Sequence, residues 1–298
     1  MTTTVTDLAI DLKAVIDKKN EDDIVGITGL YEAKYRDKVI ITYMTNYNIS
    51  PSDSIKRAIK AGPSATLVMN AWTCSNELRA RYLRNGLGTK NNKALLLDVA
   101  LFCLEDDWVA TVEAYTQVYS KNAKDDLYKD LNKKENWCAL VRDWVLHDRT
   151  ARSTIEADAE ALYKALNGKK VQEVGQFLCK TTPDEWKRIC RTFREVYHKE
   201  VDTFFTTEVF GKVDLEPFLI AHYTLLQPGY AAAYILNTCM SGKKGDSERA
   251  VRATSLMFDR ALKCKFAYEK KYGNIANDFR KLFDARLAKA LCTLWRVE

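Results

Sequence analysis

The stretch Trp108-Val109-Ala110-Thr111-Val112-Glu113-Ala114-Tyr115-Thr116-Gln117-Val118-Tyr119 decides the fold. Trp108, Val109, Val112, Tyr115, Val118 and Tyr119 recur at a period of about 3.6 residues, which predicts a helix with one apolar face. Tyr115 and Tyr119 stand one turn apart, close enough for their rings to touch. The same aromatic pair returns as Tyr43/Tyr47, Phe193/Tyr197 and Tyr268/Tyr272, at successive offsets of 72, 78 and 75 residues for both members. An aspartate follows each pair, with a large apolar residue close behind: Asp53/Ile55, Asp125/Leu127, Asp202/Phe204 and Asp278/Phe279. One such pair is ordinary helix packing; four at near-constant spacing mean four homologous units.

Within each unit the pattern is helical throughout. Ser50-Pro51-Ser52-Asp53 and Thr182-Pro183-Asp184-Glu185 each read as an N-cap, a first-turn proline and a capping-box acid. Only 12 glycines and 5 prolines punctuate 298 residues, and no alternating apolar/polar run is long enough for a strand. The reading is all-α: about five helices per unit, two helical hairpins with one helix laid across them. The boundaries place units at 1–73, 74–149, 150–228 and 229–298. No linker is rich in Pro, Gly or Ser, so the units are expected to pack as one rigid body.

With 47% apolar and 29% charged residues, the chain is long enough to bury more than one core. The net charge of +6 comes from 46 basic against 40 acidic residues. This permits attraction to anionic surfaces without a nucleic-acid module, and no nucleic-acid partner is expected. No apolar run approaches the roughly 20 residues of a membrane span, and Met1-Thr-Thr-Thr-Val-Thr-Asp7 lacks the features of a signal peptide. The eight cysteines stand singly, without a Cys-x-x-Cys pair, and read as reduced core thiols of a cytosolic protein.

The second unit carries the stretch with chemistry in it. Arg84-Asn85-Gly86-Leu87-Gly88-Thr89 ends one helical pattern, and another begins near Asn91. Two glycines allow a tight loop with outward carbonyls, next to helix-end carbonyls that have no partner inside the helix. Outward carbonyls suit a hard cation, of which calcium is the usual one, and Asp130, 42 residues after Gly88, supplies the charge that backbone lacks. The plainer reading of the loop alone is a glycine C-cap beside a solvated acid.

Taken together, these features resemble the annexins over nearly the full length. That family has four repeats of about seventy residues, five helices each, a Gly-x-Gly-Thr loop between the first two helices and an acid on the fourth. Gly86-Leu87-Gly88-Thr89 matches the loop, and Asp125-Asp126-Leu127-Tyr128-Lys129-Asp130-Leu131 looks like the fourth-helix signature. The resemblance implies four annexin-like repeats in one slightly curved disc, with calcium held by the carbonyls of Arg84, Gly86 and Gly88 and by the Asp130 carboxylate. The closing Leu294-Trp295-Arg296-Val297, the cysteine-rich helices and the scarcity of intact loops look most like the alpha-giardin branch. For that branch the expected setting is cytoplasmic, peripheral at the inner face of the plasma membrane and at the cytoskeleton of flagella.

The other three loops depart from the motif. The first unit has Asp17-Lys18-Lys19-Asn20 with no glycine, and Ala58 where the acid belongs, so no site is expected there. The third has Leu166-Asn167-Gly168-Lys169-Lys170, with Glu208 forty residues after Gly168 and two lysines opposing a cation, which makes it the weakest candidate. The fourth has Gly242-Lys243-Lys244-Gly245-Asp246, one residue longer than the motif, with Asp284 or the local Asp246 as its acid. The expected order is second, fourth, third, first. Three carbonyls and one carboxylate leave calcium short of its shell, so lipid phosphate is expected to complete it, with weak affinity in the absence of lipid. Leu87 at the loop apex, and Lys169, Lys170, Lys243 and Lys244, are the expected lipid contacts on a common face, each basic residue contributing roughly 1 kcal/mol at an anionic surface.

An enzyme is not expected. His147, His198 and His222 lie in different units, and no phosphate loop, metal-binding histidine pair or nucleophile elbow is present. Two functions stand: calcium-dependent binding of acidic, phosphatidylserine-like membrane, or a calcium-independent scaffold that docks a cytoskeletal protein and keeps largely vestigial loops.

Overall fold

The computed structural model describes residues 4–88, 92–103, 105–131 and 133–297. Among these residues the chain forms helices and no strand. Two compact halves are present, one from Met1–Arg81 with Ala232–Glu298, the other from Tyr82–Ala231.

The helices form where local signals place them. Ser50 accepts the Asp53 amide at 3.0 Å ahead of Pro51–Ala58. Thr182 accepts the Glu185 amide at 3.4 Å ahead of Pro183–Tyr197. Both prolines stand in the first turn, where their missing N–H costs nothing. All four aromatic pairs meet, with centroids 4.8 Å apart for Tyr43/Tyr47, 5.0 Å for Tyr115/Tyr119, 4.9 Å for Phe193/Tyr197 and 5.3 Å for Tyr268/Tyr272. In each the first ring is buried and the second lies at the surface margin, a contact contributing about 0.5–1.5 kcal/mol beyond area burial.

The structure corrects one expectation here, the face that the second unit's helix buries, and identifies the acid that holds Tyr115. Helix Glu105–Tyr119 buries Trp108, Thr111, Ala114 and Tyr115, while Val109 and Val118 are exposed. The small Thr111 and Ala114 let the helix pack closely, so the buried face is rotated away from the two valines. The acid bonded to the Tyr115 hydroxyl, at 2.7 Å, is Asp126 and not Asp125. Tyr268 donates to Asp278 at 2.8 Å, and both acids stand four residues after an asparagine N-cap, Asn122 or Asn274. In the third unit Phe193 has no hydroxyl, and Asp202 accepts from Tyr223 at 2.7 Å.

In the first half, helix Glu21–Gly29 packs on Ala285–Trp295, and Pro63–Ala71 on Ser247–Met257. Arg36 is buried there, donating to the Ala71 carbonyl at 3.0 Å and to Asp259 at 3.2 Å, with its guanidinium 4.2 Å from the centre of the Phe258 ring. Trp72 donates to Thr28 at 2.6 Å and Trp295 to Thr254 at 2.9 Å. In the second half, Ile155–Asn167 packs on Pro183–Tyr197, and Asn136–Trp144 on Val171–Lys180. All eight cysteines are free thiols, seven of them buried. Among the described residues no helix is long and apolar enough to cross a membrane.

Candidate metal loop

Helix Ser75–Gly86 runs into the loop with Leu78, Ala80 and Leu83 buried beneath it. Gly86 is required by a close approach: a Cβ there would stand 2.8 Å from Leu96 Cδ2 and 3.0 Å from its Cγ. Gly88 is required by conformation, with φ at +125° and open space around it. The two glycines serve different physical needs.

The hydrogen bonds then separate what the loop keeps from what it offers. The Leu87 amide still donates to Leu83 at 3.2 Å, as in a helix. A continuing helix would next send the Gly88 amide to the Arg84 carbonyl. Instead the Gly88 N–H donates to Asp130 Oδ2, so the Arg84 carbonyl drops out of the ladder at this point. The Gly86 carbonyl accepts the Asn92 amide at 3.0 Å, leaving it one lone pair. Asn92 in turn caps helix Lys93–Ala100 through the Leu95 amide at 3.1 Å. Asp130 closes helix Ala123–Asp130, half-buried, with its carboxylate on the loop.

Arg84, Gly86, Gly88 and Asp130 are thus brought together, and their carbonyl and carboxylate oxygens are hard donors of the kind a divalent cation takes. Thr89 lies outside the described residues. Among the described residues no group of three or more His, Cys, Asp or Glu side chains could hold a metal; this loop offers mostly backbone oxygens. The Arg84 side chain is engaged elsewhere, because its Nη1 lies 3.4 Å from both the Tyr115 hydroxyl and Asp126. Those contacts hold the guanidinium above its ordinary pKa, while burial and the Asp126 bond push the Tyr115 phenol up to about 12. Leu87 is half-buried.

The remaining loops fall into two kinds. The first and third close on themselves. Lys18 and Lys19 amides donate to Ala14 and Ile16 carbonyls at 3.4 and 2.9 Å. Gly168, Lys169 and Lys170 amides donate to Lys164, Leu166 and Ala165 carbonyls at 2.9, 3.1 and 2.9 Å. Lys19 and Lys169 share a left-handed backbone, φ 54° and 53°. Glu208 is exposed in the first turn of Thr207–Leu226, without a hydrogen bond or ion pair among the described residues. Lys170 pairs with Glu173 at 2.8 Å, and Lys169 is exposed.

The fourth loop is of the open kind. The Asp246 amide donates to the Cys239 carbonyl at 2.8 Å, as Asn92 does to Gly86, across one more residue. Gly245 abuts Phe283, whose ring would lie 2.4 Å from an added Cβ. Both candidate acids also stand at helix starts. Asp246 caps helix Ser247–Met257 through the Arg249 amide at 3.0 Å. Asp284 caps Ala285–Trp295 through the Arg286 and Leu287 amides, each at 3.0 Å. Counted from the N-caps Asn122 and Asn274, the position matching Asp130 is Leu282, a register visible only once both caps are placed. Gly242, Lys243 and Lys244 are exposed.

This fold has known counterparts. Calcium-bound alpha-1 giardin superposes with a TM-score of 0.92 at 34% identity, covering 99% of this chain and 100% of that one. Chicken annexin V superposes with a TM-score of 0.76 at 16% identity, over 98% of this chain and 95% of that one. The fold is therefore the four-repeat annexin fold. In sequence, residues 232–296 match the fourth repeat of Annexin E1. Giardin subunit alpha-4 of Giardia intestinalis is 39% identical over 298 residues, the whole of both chains, and giardin subunit alpha-6 is 35% identical over 297. The chain belongs to the alpha-giardin family of annexin-like proteins.

Proposed function

We propose that this protein binds acidic phospholipid membranes in a calcium-dependent, non-catalytic manner through the Arg84–Gly88 loop, with calcium as its cofactor. The observation that carries the reading is the Asp130 carboxylate seated on the Gly88 amide beside an Arg84 carbonyl released from its helix. Calcium takes six to eight oxygens, so carbonyls of Arg84, Gly86 and Gly88 with the Asp130 carboxylate leave room for water or a lipid phosphate. Calcium and anionic lipid then each complete the other's site, and affinity for calcium alone is weak, toward roughly 10⁻⁴–10⁻³ M. The exposed Lys169, Lys170, Lys243 and Lys244 add attraction to an anionic leaflet. The setting that follows is peripheral attachment at the inner face of the plasma membrane, linking it to the cytoskeleton of flagella.

Cosedimentation with phosphatidylserine vesicles, with and without calcium, tests this. Wild type pellets strongly with calcium and only in part, through its lysines, without it; Asp130→Ala with calcium falls to the calcium-free level. Equal pelleting of both proteins across a calcium series rejects the reading. A second reading, a calcium-independent scaffold for a cytoskeletal protein, is favoured by the closed first and third turns, whose helix-end carbonyls are already bonded.

A further inference from the structure

A groove of about 840 Å³ runs between helices Ala261–Lys271, Ile275–Leu282 and Ala285–Trp295, remote in sequence from the loop above. This volume lies within the range of ligand pockets. Small side chains, Ala276, Ala288 and Cys292, form its floor. Among the described residues its walls carry Lys265, Arg280, Lys289 and Arg296 against one acid, Glu269. Glu269 offsets only Lys265, at 3.9 Å. Lys289 lies 2.6 Å from Asp22 in an exposed pair, and Arg296 donates to the Gly29 carbonyl at 3.2 Å. Arg280 is exposed and makes no hydrogen bond or ion pair among the described residues. The opening turn of Ile275–Leu282 also borders the groove through Ala276, and a helix start adds partial positive charge. A metal cation has no place in such a field; an anion does.

What kind of anion follows from the adjoining surface. Leu262 and Phe266 stand one turn apart on Ala261–Lys271, 72% and 59% exposed. By helical spacing they share a face with Lys265 and Glu269, which line the groove. A free phosphate would use the cations and ignore the leucine and phenylalanine. A peptide carrying carboxylates and a large apolar side chain uses both, burying its anchor where the host is already apolar. We propose that this groove is a docking site for an acidic segment of a partner protein, its carboxylates set against Arg280, Lys265 and Lys289 and an apolar anchor laid across Leu262 and Phe266. The site needs no calcium, so it is separable from the membrane reading.

The probe is a short fluorescein-labelled peptide of glutamate and phenylalanine, followed by fluorescence anisotropy on the full chain in chelator. The control peptide has lysine in place of glutamate. Arg280→Glu and Phe266→Ser are the variants, both at exposed positions and both checked for folding by circular dichroism. Wild type binds the acidic peptide saturably and the lysine peptide not at all. Each variant weakens binding about tenfold, the loss typical of an interface anchor, and added salt weakens wild type further. The proposal is overturned by the absence of saturable binding, or by either variant binding as wild type does. It also fails if Arg280→Glu instead abolishes chelator-insensitive pelleting with phosphatidylserine vesicles, which assigns the groove to lipid.

Discussion

Gly86→Ala and Gly88→Ala make a matched pair whose effects the coordinates separate. At Gly86 the new methyl would sit 2.8 Å from Leu96 Cδ2, 3.0 Å from its Cγ and 3.3 Å from Leu95 Cδ2. Leu96 is fully buried and cannot swing into solvent, so the end of helix Ser75–Gly86 must back away from Lys93–Ala100. Overpacking of this kind costs about 1–3 kcal/mol. At roughly 2–4 °C per kcal/mol for chains of this size class, Tm falls by about 2–12 °C. At Gly88 the methyl meets nothing within 4 Å, but φ of +125° is a conformation that alanine avoids. The exposed loop then relaxes around residue 88, breaking the Gly88–Asp130 bond with little change in Tm. Differential scanning calorimetry gives the first quantity, and vesicle cosedimentation with calcium gives the second. The expected pattern is a large Tm loss for Gly86→Ala and a loss of lipid binding with near-native Tm for Gly88→Ala. A Gly86→Ala protein as stable as wild type, or a Gly88→Ala protein that binds vesicles normally, refutes this account of the two glycines.

Thr28→Val removes the acceptor of the buried Trp72 indole and is expected to cost about 1–3 kcal/mol in a urea titration, the penalty of an orphaned buried donor. His147 is held down to about 4 by burial and by the Arg149 guanidinium, against 6.5 for a free imidazole. Between those values the unfolded chain binds the extra proton, so stability is full above 6.5 and is lost as pH falls toward 4. His147→Asn, which keeps a side chain tolerant of the left-handed backbone at this position, flattens that slope in a Tm-against-pH series. Burial lifts the thiols, Cys74 to about 11 and Cys138 and Cys179 to about 12, so at neutral pH Ellman's reagent reacts slowly with native protein and with all eight thiols in denaturant.

The repeat was legible because its signals are local. Paired aromatics one turn apart and proline-led N-caps need only a few neighbouring residues to take effect, and the helices form where they stand. The second loop was legible for the same reason, since Gly86 and Gly88 sit together and Asp130 lies at a fixed distance in the repeat. What the sequence hid depends on partners from elsewhere. Val109 and Val118 match the helical period, yet which face is buried is set by what packs against Thr111 and Ala114. Asp246 and Asp284 have the right charge at the right spacing, but each begins a helix and is drawn into capping it. The cationic groove collects residues from three helices, and no short motif announces it.

The self-closed turns after Ile16 and Ala165 carry a consequence for how the four copies diverge. Placing aspartate at Ala58 would set a negative charge opposite carbonyls that Lys18 and Lys19 amides already occupy. Restoring a cation there requires insertion of residues to unwind the turn, together with a new acid. Two coordinated events of different kinds are harder to come by than one point mutation, so ion binding lost from a copy in this way is seldom regained. A copy whose turn has closed in this way is then free to drift toward other work on its surface.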